Sequence, residues 1–103
     1  MRITLPIPFT LAEIAAITNG TLTGSNKIIY TVTTDSRECE KEDLFFALRG
    51  PNYDGNDFLS EAAEHGAFIL SDREHDATLF VKCGADALLQ VASEYKKKCS
   101  PKL

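Results

Sequence analysis

The sequence predicts an α/β layered domain in which a mixed or largely parallel β-sheet is flanked by short helices. Short β-branched apolar runs alternate with stretches of helical period, the pattern of a domain built from a sheet and the helices that cover it. Leu44 to Leu48 is apolar at every position, as expected of a strand covered on both faces. At 103 residues, with 44% hydrophobic and 25% charged side chains, the chain can bury one real core. It is too short for that core plus a second catalytic domain, so residues 1–103 are expected to form a single domain.

The elements follow in order. Thr10 and Glu13 form a T-x-x-E capping box that opens a helix. Leu11, Ile14, Ala15 and Ile17 or Thr18 share one face of it, and Asn19-Gly20 supplies a left-handed stop. Thr21 to Gly24 reads as a short strand followed by a turn, and Ile28 to Thr34 as a β-branched strand. Arg37 to Asp43 is a charged connector, expected to be a solvated loop. After the apolar strand 44–48 comes a polar stretch, Arg49 to Asn56. Asp57 is the expected N-cap of a helix through His65, with Phe58, Leu59, Ala62 and Ala63 packing and Gly66 closing it. Ala67 to Leu70 and Thr78 to Lys82 read as further strands around a polar loop that holds His75, expected to be solvated. From about Asp86, the spacing of Leu88, Leu89, Val91, Ala92 and Tyr95 predicts a last amphipathic helix. Its Lys96–Lys98 end complements the helix dipole, and Pro101 stops it.

Composition excludes several functions. A formal charge of −4 disfavours nucleic-acid or anionic-membrane binding, which need a surplus of Lys and Arg on one face. No apolar run approaches a bilayer span, and Met1 to Pro6 carries no secretion signal, so the expected location is cytoplasmic. Cys39, Cys83 and Cys99 are widely spaced with no metal-ligand pattern, and are expected to be reduced thiols. There is no Walker-type Gly-x-x-x-x-Gly-Lys-Thr, no Gly-x-Ser-x-Gly and no His-Glu-x-x-His, and nothing activates a nucleophile. His65 is read as a favourable charge at a helix end. No catalytic or metal-binding residue is assigned.

The polar groups gather at two strand ends. In open α/β sheets, ligands bind beyond the carboxyl ends of strands, and Thr34-Asp-Ser-Arg37 and Arg49-Gly-Pro-Asn-Tyr-Asp-Gly55 hold such positions. Thr34, Ser36 and Asn52 can read a heterocycle or sugar, Arg37 and Arg49 can fork onto phosphate, and Tyr53 offers a flat face. Gly50 and Gly55 permit close backbone approach or positive φ. The same residues also suit plain turns, with Asp35 bonding its own backbone and Arg37 pairing with Asp54 or Asp57. Residue chemistry alone leaves both readings open.

The motifs themselves are not anonymous. Thr33 to Arg37, Asp43 to Gly50, Asp54 to Phe58 and Ala62 to Ala67 closely resemble the N-terminal domain of the Mur ligases of peptidoglycan synthesis, in order and spacing over most of the chain. The opening Thr10 to Leu22 is more similar to the branch that adds D-alanyl-D-alanine than to the branch that adds the third peptide residue.

The resemblance implies a three-domain ATP-dependent ligase. In it the N-terminal domain holds the UDP end of a UDP-N-acetylmuramoyl-peptide, a central domain binds ATP and Mg²⁺, and a C-terminal domain receives the incoming amino acid or dipeptide. This chain would be the first domain, ending near where the central P-loop strand begins. It would have no cofactor of its own, would be inactive alone, and would have the other two domains and the nucleotide-sugar peptide as partners. By the same resemblance Thr34 and Ser36 contact the uridine, and Pro51, Asn52 and Tyr53 form the loop flanking the uracil. Asp35, Arg37, Arg49, Gly50, Asp54 and Gly55 shape those loops or add to binding, and Asn56 stands where relatives often carry His. The alternatives are the third-residue ligase, a free-standing nucleotide-sugar-binding module, and an interaction domain that has lost the ligand.

Overall fold

The computed structural model describes residues 2–99, with His75 described by its backbone alone; Pro101 and the environment of the His75 side chain lie outside the described residues. The chain begins with a strand that the sequence pattern did not reveal, β1 (Arg2–Thr10). Pro6 and Pro8 argue against a strand, because proline cannot donate to a ladder. They are accommodated because β1 lies at an edge and its pairing with β3 (Ile28–Thr33) shifts register between Thr4 and Phe9, the stretch holding both prolines.

Helix α1 (Leu11–Thr18) follows directly and forms as its capping box dictates. Glu13 N donates to Thr10 Oγ1 at 3.1 Å, and Thr10 N to Glu13 Oε1 at 3.0 Å. Asn19 ends the helix in the left-handed region at φ 56°. Leu11 and Ile14 are fully buried.

The remaining elements are β2 (Thr21–Leu22), β4 (Leu44–Phe46), β5 (Arg49–Gly50), β6 (Tyr53–Asp54), α2 (Leu59–Glu64), β7 (Phe68–Ser71), β8 (Leu79–Phe80) and α3 (Gly84–Cys99). The main sheet has the order β1-β3-β4-β7-β8-β2, and β5 and β6 form a separate hairpin. The central pairs β3–β4, β4–β7 and β7–β8 are parallel; the outer pairs β1–β3 and β8–β2 are antiparallel. The fold is thus a mixed α/β sheet with a parallel centre, as the sequence predicts.

Its two faces carry two cores. Phe46, Leu44, Leu70 and Leu79 pack with Leu11 and Ile14 of α1 and Ala87 and Val91 of α3. On the other face Phe45, Ala47 and Ile69 pack with Leu59 and Ala62 of α2 and with Cys39. Phe45 and Phe46 are neighbours in sequence, point to opposite faces and are both fully buried, which is why 44–48 is apolar throughout. Burial pushes the Cys39 thiol up to about 11, and all three cysteines are free. None of the described helices is long and apolar enough to cross a membrane.

Strand β4 stops at Phe46 rather than Leu48 and β8 covers only Leu79–Phe80 of the strand expected over 78–82, and three further features differ from expectation. Asp57 does not cap a helix; a 3₁₀ turn, Gly55–Phe58, comes first and is capped by Asp54, whose carboxylate accepts from Asn56 N at 2.9 Å. Helix α3 starts two residues before Asp86, at Gly84, where an added Cβ would lie 2.6 Å from the Ala47 carbonyl oxygen. That contact seats the helix on the end of β4. The connector 37–43 is only partly solvated, since Asp43 is 4% exposed and accepts from Arg2 Nε at 2.8 Å and Glu40 N at 3.0 Å. Its partner Arg2 is brought in by β1, so no local pattern could show the pair.

Candidate functional site

Because the central strands are parallel, the residues that follow them, Thr34, Ala47, Asp72 and Val81, leave the sheet at one rim. At this rim a hollow of about 480 Å³ is lined by Thr34, Asp35, Ser36, Arg37, Tyr53 and Phe58. The two strand ends singled out in the sequence therefore meet in space. Tyr53 and Phe58 stack with ring centroids 5.4 Å apart and planes 17° apart, forming an aromatic wall. A second hollow of about 320 Å³ shares that wall and is lined also by Gly50, Pro51, Asn52, Asp54 and Asp57. Pro51 and Asn52 are thus adjacent to the first hollow rather than in it. Phe58, expected to pack under its helix, is 39% exposed and lines both.

The Thr34–Arg37 turn is held from inside. Asp35 N donates to Thr33 Oγ1 at 3.0 Å, and Asp35 Oδ1 accepts from Arg37 N at 2.9 Å, opening a 3₁₀ turn over Ser36–Glu38. Arg37 folds back so that Nε and Nη2 meet the same carboxylate at 3.1 and 2.9 Å. The partner of Arg37 is therefore Asp35, not Asp54 or Asp57. Ser36 is 3% exposed, and its hydroxyl donates to Glu61 Oε1 at 2.5 Å.

The hairpin β5–β6 is tied to the sheet by a polar network. Arg49 forks onto Asp72 through Nε and Nη2, at 2.7 and 3.0 Å, and gives Nη1 to Asp54 at 2.9 Å. Asn56, only 3% exposed, donates Nδ2 to Asp54 and Asp72 and accepts through Oδ1 from the Ser71 hydroxyl. Arg73 closes the ring by donating to the Asn56 carbonyl oxygen at 3.4 Å. Every buried side-chain polar atom among the described residues is bonded. Gly50 and Gly55 both lie outside the positive-φ region. Gly55 is required because its N–H reaches Leu48 O at 2.6 Å, and a Cβ there would lie 2.7 Å from Leu48 N.

These contacts fix the electrostatics. Hydrogen bonds from Arg37 hold the Asp35 carboxyl down at about 2. Asp54 is lowered chiefly by the Asn56 N–H and Asp72 by Arg49. Carboxyls depressed in the folded state stabilise it above their unfolded range near 4, and that contribution is lost as pH falls through the folded values. Urea midpoints are therefore expected to hold between pH 7 and about 5 and to drop between about pH 4 and 2. A midpoint unchanged over that acid window would rule these pairs out as contributors.

A flat ring can lie on Tyr53 and Phe58 while its edge meets the polar turn, and among the described residues no group of three His, Cys, Asp or Glu side chains is placed for a metal. Both arginine forks expected to face phosphate are spent on carboxylates of the chain itself. Sequence reasoning missed Glu61, Ser71 and Asp72. Glu61 lies 25 positions from Ser36, Asp72 23 from Arg49 and Ser71 15 from Asn56, distances at which sequence gives no signal.

Comparison with known proteins identifies the family. The model described as "Mur ligase family, catalytic domain" matches residues 28–101, which include both strand ends. The chain belongs to the Mur ligase family. UDP-N-acetylmuramoyl-tripeptide–D-alanyl-D-alanine ligase of Bacillus subtilis is 35% identical over 84% of the chain. A Mur ligase of Rickettsia prowazekii named for adding 2,6-diaminopimelate is 33% identical over 55% of it. Crystalline MurF of Acinetobacter baumannii superposes over 93% of the chain with a TM-score of 0.75 at 26% identity. The chain spans about a fifth of the length of the D-alanyl-D-alanine-adding relatives it matches, 21% and 22% respectively.

Proposed function

We propose that this chain is the domain of a Mur ligase that binds the UDP end of UDP-N-acetylmuramoyl-tripeptide, in an ATP-dependent enzyme that adds D-alanyl-D-alanine to a peptidoglycan precursor. The observation that carries the reading is the hollow formed by Thr34–Arg37 and the stacked Tyr53–Phe58 pair. It puts a stacking surface beside hydrogen-bonding groups at the carboxyl rim of a parallel sheet, where α/β folds bind nucleotides. Thr34, Ser36 and Tyr53 contact the uridine directly. Pro51 and Asn52 border it across the aromatic wall, and Asp35, Arg37, Arg49, Gly50, Asp54 and Gly55 hold the loops. The 103 residues contain no Gly-rich phosphate loop, so ATP and Mg²⁺ are bound by other parts of the enzyme and the chain is inactive by itself. The enzyme works in the cytoplasm, where nucleotide-activated precursors are made.

Addition of D-alanyl-D-alanine is favoured over addition of the third residue because matches to the first branch run over 84% and 94% of the chain, against 55% for the second. The test is an assay of the complete gene product for phosphate release. Turnover is expected only with UDP-N-acetylmuramoyl-tripeptide and D-alanyl-D-alanine together. Turnover with a diamino acid and the dipeptide precursor instead would transfer the chain to the other branch.

A further inference from the structure

The Ser36–Glu61 contact says more about the ligand than that it is a nucleotide. A serine hydroxyl has one proton to donate and two lone pairs to accept with. Here the proton goes to Glu61 Oε1 at 2.5 Å, in a position where Ser36 is 3% exposed, and a carboxylate offers no proton in return. Toward the hollow, Ser36 can therefore only accept. The charges near it point the same way: Asp35 lines the hollow and the Glu61 carboxylate is bonded to Ser36, while the fork of Arg37 is closed on Asp35. A phosphate oxygen beside Ser36 would face lone pairs and a carboxylate, whereas an N–H would find an acceptor made stronger by the charge behind it. The stacked Tyr53 and Phe58 rings in the same hollow select a flat group to carry that N–H.

We propose that Glu61 is a specificity-determining residue: by taking the Ser36 proton it makes Ser36 an obligate acceptor for the imide N3–H of a uracil ring, and so rejects cytosine, whose N3 is itself an acceptor. This rests on the uridine-binding reading above. Glu61 acts through Ser36 and does not touch the ligand.

The test compares the affinities of UDP, CDP and N3-methyl-UDP for the chain by NMR titration, in the native protein and in Glu61→Leu and Ser36→Ala. The native protein is expected to prefer UDP over each of the other two by about tenfold or more, the usual effect of leaving a buried polar group unpaired. In Glu61→Leu the freed hydroxyl can donate, so CDP gains and the UDP:CDP ratio falls toward one. In Ser36→Ala the ratio falls because UDP weakens to the level of CDP; this variant carries the test if Glu61→Leu does not fold. A native ratio near one, or a ratio kept in folded Glu61→Leu, overturns the proposal and leaves uridine binding standing. No UDP binding at millimolar concentration overturns both.

Discussion

Replacing Phe46 with alanine is expected to destabilise the domain by about 3–5 kcal/mol, the usual cost of emptying a fully packed phenylalanine site. Phe46 is fully buried in the central strand β4, in the core that joins the sheet to α1 and α3. Domains of this size are stable by only about 5–15 kcal/mol in total, and each kcal/mol is worth several degrees of melting temperature. The melting temperature should fall by ten degrees or more. The loss should reach the site, because the loop after β4 leads straight into the β5–β6 hairpin. A decrease below about 1 kcal/mol would mean that the core seals over the void or that Phe46 is not its centre.

Replacing Tyr53 with alanine is expected to weaken UDP binding by roughly ten- to a hundredfold while leaving the melting temperature nearly unchanged. Tyr53 is 45% exposed, so little core is lost, and with Phe58 it supplies the two aromatic rings that line the hollow among the described residues. Stacking of a base on an aromatic side chain is worth about 1–3 kcal/mol by alanine substitution. Phenylalanine at the same position keeps the ring and should keep most of the affinity. If Tyr53→Phe lost as much as Tyr53→Ala, the hydroxyl rather than the ring would be the contact.

Much of this was legible in the sequence because its causes are local. The capping box at Thr10 and Glu13 and the left-handed Asn19 each act within a few residues and formed as read, and the all-apolar run 44–48 holds a strand, though only over Leu44–Phe46. The Asp-Ser-Arg turn formed as an Asx turn, one of the two readings open for it, and also lines the hollow. What was hidden depends on partners distant in sequence. Strand β1 was masked by Pro6 and Pro8, which only an edge position and a register shift excuse. The burial of Asp43 depends on Arg2, 41 residues away, and that of Asn56 on Ser71 and Asp72. The carboxylate partners of the two arginines were hidden for the same reason: Asp72 does not announce itself to Arg49 along the chain, and the Asp35 carboxylate was assigned only to its own backbone.

We propose the rim hollow between Thr34–Arg37 and Tyr53–Phe58 as the place where uridine diphosphate binds. The most direct measurement is a ¹⁵N-resolved NMR titration of the chain with UDP to millimolar concentration. Saturable shifts are expected at Thr34 to Arg37, at Asn52 to Asp54 and at Phe58, with little change along α1 and α3. Saturable binding with its shifts along α1 and α3, or no shifts at either rim loop, would contradict the account.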